Sequence, residues 1–304
     1  MFARQRYRLR LPSRTLRLGE RTVIMGILNV TPDSFYAGGR YPDAQLAVER
    51  AFEMEQAGAD ILDIGGESTR PGADPISADE EIARVLPVLE SLQGKLRIPI
   101  SLDTQKVIVA EAGLKAGVEI INDVSGLRGD PELADLVRSR AAALVLMHMR
   151  GSPKSMHKGP FARDAMRDIA QGLRASIAIA RRAGIPKSKL LLDPGIGFGK
   201  NYRQNFEVLA RLPELARLGY PLVVGASRKT FIGWALGGKR QVWPPEKRQW
   251  GTASAVTTAI LNGAHIVRVH DVSEMGQVAR VADLVLSAVS RARSGRETTV
   301  RYNR

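Results

Sequence analysis

The chain has 304 residues, close to the usual size of one eight-fold βα barrel, and no apolar run in it approaches the roughly 20 residues of a membrane span. Cysteine is absent, which removes disulfides, thiolate metal sites and cysteine nucleophiles while leaving the compartment open. The formal charge of +14 favours anionic ligands. With no aromatic-interleaved basic motif, it reads as a solvated basic surface around an anion-binding enzyme, with no nucleic-acid and no membrane partner.

The first 21 residues are Arg-rich, but Tyr7, Leu9 and Leu11 alternate with polar residues, as do Leu16 and Leu18 after Pro12-Ser13. That period of two predicts a β-hairpin, placed as a plug at the bottom of a barrel. Short apolar, β-branched runs then recur at 23–28, 61–64, 98–102, 119–121, 143–147, 190–192, 222–224 and 265–269, separated by amphipathic helical stretches. Ala57-Gly58-Ala59, Ala116-Gly117-Val118 and Asn262-Gly263-Ala264 are helix stops that turn the chain into the next strand. Strands apolar on both faces and separated by helices imply a parallel sheet covered by helices, and eight such units imply a closed (β/α)8 TIM barrel. No low-complexity linker divides the chain, so one domain is expected over 1–304, with a hairpin at 1–21 and a polar tail at 293–304. The longest breaks, 151–160 and 237–247, are expected to be loops after strands.

Barrel enzymes place their chemistry at the C-terminal ends of the strands. Those ends carry Asn29, then Thr69 and Arg70 in "DIGGESTRPG", Asp103, Asn122-Asp123, Met147-His148, Asp193 before "PGIGFGK", Lys229 in "GASRK", and Arg268 and His270 in "VRVHDV". Each alone has an ordinary account; Asp103 before Thr104 suits a helix cap. Eight polar strand ends in register are hard to obtain from turn chemistry. Asp103, Asn122, Asp193 and Lys229 combine acceptors, an amide and a cation, a set that can read the edge of a flat nitrogen-rich heterocycle. Arg268, His270 and Asn29 suit an anion, because guanidinium forks onto phosphate oxygens. Asn29 and Asp33 are too few to cage a metal unaided, but they suit Mg²⁺, which keeps waters and shares phosphate oxygens.

"GILNVTPDSF", "DIGGESTRPGA", "SLDT", "INDVSG", "LDPGIGFGK", "GASRK" and "VRVHDV" follow one another in this order, and with them the chain resembles the dihydropteroate synthases from Val23 to the last helix. The resemblance implies a cytoplasmic, homodimeric transferase. It would join 6-hydroxymethyl-7,8-dihydropterin diphosphate to 4-aminobenzoate, giving 7,8-dihydropteroate and diphosphate for folate biosynthesis. It implies that Asn29, with Asp33, ligands Mg²⁺ on the diphosphate, and that Arg70, Arg268 and His270 contact the diphosphate. Asp103, Asn122, Asp193 and Lys229 would hold the pterin, with Met147 and Phe198 around its ring. Thr69, Pro71, Phe35, Ser227 and Thr230 would shape the aminobenzoate site with the stem of Lys229. Asp103, Lys229, Asn29, Arg268 and His270 would carry catalysis, and the loops 30–40 and 65–73 would close over the substrates.

The chain departs from the family pattern after the first motif, where "FYAGG" puts Tyr36 and Ala37 in place of Ser and Asp. That change leaves a pterin-binding protein without catalysis as one alternative. A pterin-dependent methyltransferase on the same barrel is another, although it needs neither "NVTPDSF" nor the Arg268/His270 pair.

Overall fold

The computed structural model describes residues 4–31, 42–68, 72–152, 154–156, 158–238 and 240–294. An antiparallel hairpin, β1 (Tyr7–Arg10) and β2 (Thr15–Leu18), comes first. A repeating strand–helix series follows, opening with β3 (Val23–Asn29), α1 (Pro42–Gln56), β4 (Ile61–Gly65), α2 (Ala78–Leu92), β5 (Ile100–Asp103) and α3 (Val107–Lys115). It continues through β6 (Ile120–Asp123), α4 (Leu133–Ser139), β7 (Ala143–Met147), α5 (Ala165–Arg182), β8 (Leu190–Asp193), α6 (Tyr202–Ala210) and α7 (Leu212–Ala216). It ends with β9 (Val223–Val224), α8 (Thr230–Gly237), α9 (Gln249–Leu261), β10 (Ile266–Val269) and α10 (Val272–Ser294). The eight strands from β3 onward are parallel in the order β8-β7-β6-β5-β4-β3-β10-β9, and a bridge from Leu192 to Leu222 joins the two ends. This is the expected (β/α)8 barrel with its N-terminal hairpin.

Two apolar clusters follow from the period of two along the strands. Ile24, Leu28, Leu62, Ile64, Leu102 and Leu144 face outward into the layer beneath the helices. Val23, Met25, Ile61, Ile120, Val145 and Leu191 face inward, where Leu9, Leu11 and Leu18 of the hairpin pack beneath them and stop the bottom of the barrel. The inner face therefore starts apolar and becomes polar only towards the C-terminal ends.

Asn29, Asp103, Asn122, Asp123 and Asp193, just past the apolar runs, are the last residues of their strands, as expected of strand ends. Their main chains stay in the ladder while inward positions such as Asp103 and Asn122 present polar side chains to the barrel interior. Several boundaries differ from those read in the sequence, for physical reasons. The third strand starts at Ile100, after Pro99, which has no N–H to donate. Segment 237–247 follows a helix, not a strand: α8 is inserted after β9, where Phe231 and Ile232 are buried against the barrel. Residues 293 and 294 belong to α10 rather than to a polar tail.

Arg4 departs from the solvated basic surface read from the net charge. Its side chain is 4% exposed and ion-paired to Asp283 of α10, and its Nη1 donates to Thr22 Oγ1 at 2.7 Å. Asp283 in turn accepts from the Thr22 main-chain N–H at 2.6 Å. Breaking a buried pair by removing one partner strands the other charge. Arg4→Ala is therefore expected to lower unfolding stability by on the order of 3 kcal/mol, measured by urea denaturation, with catalytic constants unchanged below the transition. An unchanged denaturation midpoint would show that this pair contributes nothing.

Candidate active site

The register of the barrel sets Asn29, Gly65, Asp103 and Asn122 side by side on four consecutive strands. Two residues earlier on two of these strands, on the same face, lie Asp63 and Ser101. Gly65 leaves the middle of this row without a side chain. A Cβ there would come within 3.4 Å of the Asp103 Cβ and 3.9 Å of Asn29 Oδ1, so the bare backbone keeps the space between the amide and the carboxylate open.

Arg268 of β10 reaches across the interior to this row. Its Nε donates to Asp63 Oδ2 at 2.5 Å and its Nη2 to Asp103 Oδ2 at 2.8 Å. Asn122 Nδ2 donates to the same Asp63 oxygen at 3.1 Å. Burial pushes the Asp103 carboxyl up to about 7, against the opposing pull of Arg268, and Asp63 adds to the rise. Burial disfavours the Arg268 cation, but Asp63 and Asp103 outweigh it, so its net shift is upward. The second oxygen of Asp63, Oδ1, has no hydrogen-bond partner among the described residues. Arg268, expected to face an anion, is thus engaged with two carboxylates.

A second group lies at the ends of β7, β8 and β9. Asp193 pairs in register with Met147. Its Oδ1 accepts from the Gly195 N–H at 2.6 Å, and burial raises its pKa while Lys229 opposes the rise. Gly195 has φ +66°, and a Cβ there would meet the His148 carbonyl at 1.9 Å; only glycine permits this close turn. Lys229 donates to the Ile196 carbonyl, and its ammonium lies 4.3 Å from the centre of the Phe198 ring. Burial depresses Lys229 to about 8, with Asp193 opposing the shift. Met147 and partly buried Phe198 share a small cluster with Val124, Met149 and Met156, an apolar, polarisable wall beside the acids.

Ser227 and His270 meet across β9 and β10: Ser227 Oγ accepts from the His270 N–H at 3.2 Å and lies 3.0 Å from His270 Nδ1. Between Ser227 and Lys229, Arg228 adopts φ +56°, unusual for a long side chain. The turn is held by the fork from the Arg228 guanidinium to Asp271, with Nε to Oδ2 at 3.0 Å, and by Arg228 N to Thr252 Oγ1 at 3.0 Å. Thr230 is exposed as the first residue of α8. The side chain of Asn29, at the end of β3, makes no hydrogen bond among the described residues, which leaves its amide oxygen available to a ligand there. Asp33, Phe35, Thr69, Arg70 and Pro71 lie outside the described residues, as does most of loop 30–40. Among the described residues, no cluster of three His, Asp or Glu side chains could hold a metal.

Three contributors were missed in the sequence. Asp63 is fully buried, and its signal was a lone acid at an inward position of an apolar strand. Lys200 closes "GFGK" back onto the barrel, donating to the Phe198 carbonyl at 2.9 Å and lying 3.1 Å from His148 Nδ1. Burial, and then Lys200, hold His148 down to about 2, so it is a neutral anchor at 5% exposure rather than a group in the mouth. Lys106 bridges Glu67 at 2.9 Å and Glu81 at 2.5 Å. Glu67 also accepts from Ile76 N–H at 3.1 Å, and Arg84 donates to the Gly66 carbonyl at 2.9 Å. These bonds pin both ends of the segment carrying residues 69–71.

A closed βα barrel with acids, amides and cations gathered at the C-terminal strand ends defines a barrel enzyme that reads a polar heterocycle. Comparison with known proteins narrows the class. The family described as pterin binding enzyme matches residues 25–270. The dihydropteroate synthase of Synechocystis is 45% identical over 87% of this chain and 90% of its own length. The crystal structure of the Clostridium difficile dihydropteroate synthase in the presence of pteroic acid superposes with a TM-score of 0.82 at 46% identity, over 88% of this chain and 98% of that one. The Xanthomonas albilineans enzyme with 4-aminobenzoic acid gives 0.83 at 41% identity, over 94% and 99%. The chain belongs to the pterin-binding enzyme family, on its dihydropteroate synthase branch.

The Lys106 bridge is testable without stranding the charge of its fully buried partner, Glu81. Burial would lower Lys106, but the hydrogen bonds it donates to Glu81 and Glu67 raise it overall, so Lys106 and the buried Glu81 are changed together. Lys106→Met with Glu81→Gln is expected to fold and to raise KM for 4-aminobenzoate about tenfold, while KM for the pterin substrate moves less than about twofold. Steady-state kinetics in each substrate checks this; equal changes in both constants would mean that the bridge holds the barrel, not the loop.

Proposed function

We propose that the chain condenses 6-hydroxymethyl-7,8-dihydropterin diphosphate with 4-aminobenzoate, releasing diphosphate, as a cytoplasmic homodimer that uses Mg²⁺. The observation that carries this reading is the buried row of Asp103, Asn122 and Asp63 joined by Arg268, with Asp193 and Lys229 beside it. Carboxylates in such a row accept from ring N–H and exocyclic amino groups, while Asn122 and Lys229 donate to a ring carbonyl or nitrogen. Met147 and Phe198 supply the apolar wall for the ring. The pteroic acid and 4-aminobenzoic acid named for the two relatives agree with a site for each substrate.

As the C–O bond to diphosphate breaks, the pterin methylene gains positive character that the ring shares. Asp103, 11% exposed and shielded from water, stabilises that charge through the ring nitrogens; the low local dielectric strengthens the interaction. The aromatic amine of aminobenzoate is already neutral at pH 7, so attack needs no strong general base. Ser227 holds His270 at the rim, facing the leaving group. The free amide oxygen of Asn29 fits Mg²⁺, a hard cation content with one protein oxygen and several waters. When bound, the ion supplies positive charge to the departing diphosphate.

The dimer is supported by the outer face of α10, where Val281 is 63% and Leu284 61% exposed, with Val285 beside them. Spacings of three and four place all three on one stripe. The charged diphosphate ester, which does not cross a bilayer unaided, supports the cytoplasm; no helix of the described residues is long and apolar enough to cross a membrane.

The direct test is diphosphate release, which must require both substrates and a divalent ion; release without aminobenzoate dependence would reject the condensation. Asp103→Asn keeps the shape and removes the charge, so turnover should fall at least about 10²-fold, or about 2.7 kcal/mol of barrier. Asp103 must be ionised to accept and Lys229 protonated to donate. With Asp103 at about 7 and Lys229 at about 8, calorimetric affinity for a pterin lacking phosphate should rise through pH 7 and fall above pH 8. Asp103→Asn should abolish the acid limb; a flat profile in the parent protein would overturn the assigned protonation states.

A further inference from the structure

Two cavities open on the hairpin, at the end of the barrel opposite the active site. One, of about 290 Å³, is lined by Arg8, Arg10, Thr15 and Arg17 alone. The other, of about 480 Å³, shares Thr15 and Arg17 and extends to Arg14, Arg21 and Arg97. It also contains Glu20 and Asp60, but its charges are unevenly paired. Asp60 is forked by Arg21 at 2.5 and 2.7 Å, and Arg14 lies 3.3 Å from Glu119. Glu20 faces Arg6 at 3.9 Å. Arg8, Arg10 and Arg17 form no ion pair among the described residues.

The arrangement is costly without a counter-charge. Arg8 sits directly opposite Arg17 in the β1–β2 register, where cross-strand Cβ atoms are about 4.5–5.5 Å apart and like charges destabilise. Arg10 follows on the same face about 6.8 Å along the strand. Lys189 adds another cation, donating to the Arg10 carbonyl at 3.0 Å; burial, then Arg10, lowers its pKa. A two-stranded hairpin has little stability of its own to absorb such repulsion.

We propose that the outer face of the hairpin is a binding site for a small linear oligophosphate, of the kind carried by tripolyphosphate. Guanidinium groups fork onto phosphate oxygens, and Thr15 adds a hydroxyl donor. Successive phosphates would bridge Arg8, Arg17 and Arg10, replacing mutual repulsion with shared attraction. The cavity volumes suit a small ligand. Nucleic acid fits less well: Tyr7, Leu9, Leu16 and Leu18 occupy the opposite face and pack towards the barrel, leaving no aromatic ring outside on which a base can stack. A membrane fits less well still, since the smaller cavity is lined by Arg8, Arg10, Thr15 and Arg17 with no apolar side chain among them to enter it.

The test compares the full chain with Arg8→Ser/Arg17→Ser, a double variant of exposed residues remote from the catalytic strand ends. Without anion, the variant should melt higher than the parent, because the facing charges are gone. Calorimetry with tripolyphosphate should show a hairpin component in the parent that weakens at least tenfold in the variant, with the accompanying rise in melting temperature also lost. Diphosphate release should be equal in both, showing that the active site is intact. Equal tripolyphosphate binding and equal thermal shifts in the two proteins would overturn the site. So would parent-specific binding of a 20-base-pair duplex or of phosphatidylserine vesicles in preference to tripolyphosphate at physiological salt, which would reassign the face to that partner.

Discussion

The bridge from Arg268 to Asp63 and Asp103 is the constraint around which the barrel mouth is organised. It joins β10 to β4 and β5 across the interior, so it exists only when the barrel has closed. Its environment is set from below. The hairpin leucines and the inward apolar layer seal the bottom, which lowers the local dielectric and raises Asp103. Replacing such an ion pair by well-packed apolar groups is often neutral or stabilising. The bridge is therefore better understood as positioning than as stabilisation: it fixes two carboxylates and, among the described residues, leaves one oxygen of Asp63 without a partner.

Much of this was legible in the sequence because the barrel rule concerns strand ends, and strand ends are easy to find when strands are apolar runs. Asp103, Asn122, Asp193 and Lys229 were located that way, and the structure brings them to one rim. Asp63 carries no such signal, because it lies inside an apolar run rather than after it. In "ILDIGG" the alternation was the signal: Leu62 and Ile64 face the helices, while Ile61, Asp63 and Gly65 face the interior. Arg268 was found but its partner was not. A contact between residues 205 positions apart in the chain leaves no local pattern.

Helix α8 escaped detection for a related reason. "TFIGWALGG" is apolar nearly all round and lacks the polar stripe that marks an amphipathic helix. It is nonetheless buried on one side and capped at Gly238, where φ is +77°. The Arg4–Asp283 and Lys106–Glu81 pairs were equally invisible, since a basic N-terminus and a helix-rich acidic stretch both look like solvated faces. Burial converts them into structural contacts, and burial is a property of the assembled barrel.

The same burial makes the unliganded site a source of instability at the pH where it works. Asp103 has a folded-state pKa raised above the ordinary carboxylate value, so holding its charge opposes folding. That opposition is absent well below about 3.9, grows as pH rises, and is complete above about 7. Lys229 has a depressed pKa, so its charge opposes folding fully below about 8 and ceases to do so above about 10.4. Between pH 7 and 8 both penalties act together. A ligand that gives hydrogen bonds to Asp103 and accepts one from Lys229 relieves both, in addition to any apolar contact with Met147 and Phe198. The strand ends are thus preorganised at the expense of the empty protein, and binding of the heterocycle recovers stability that folding alone did not provide.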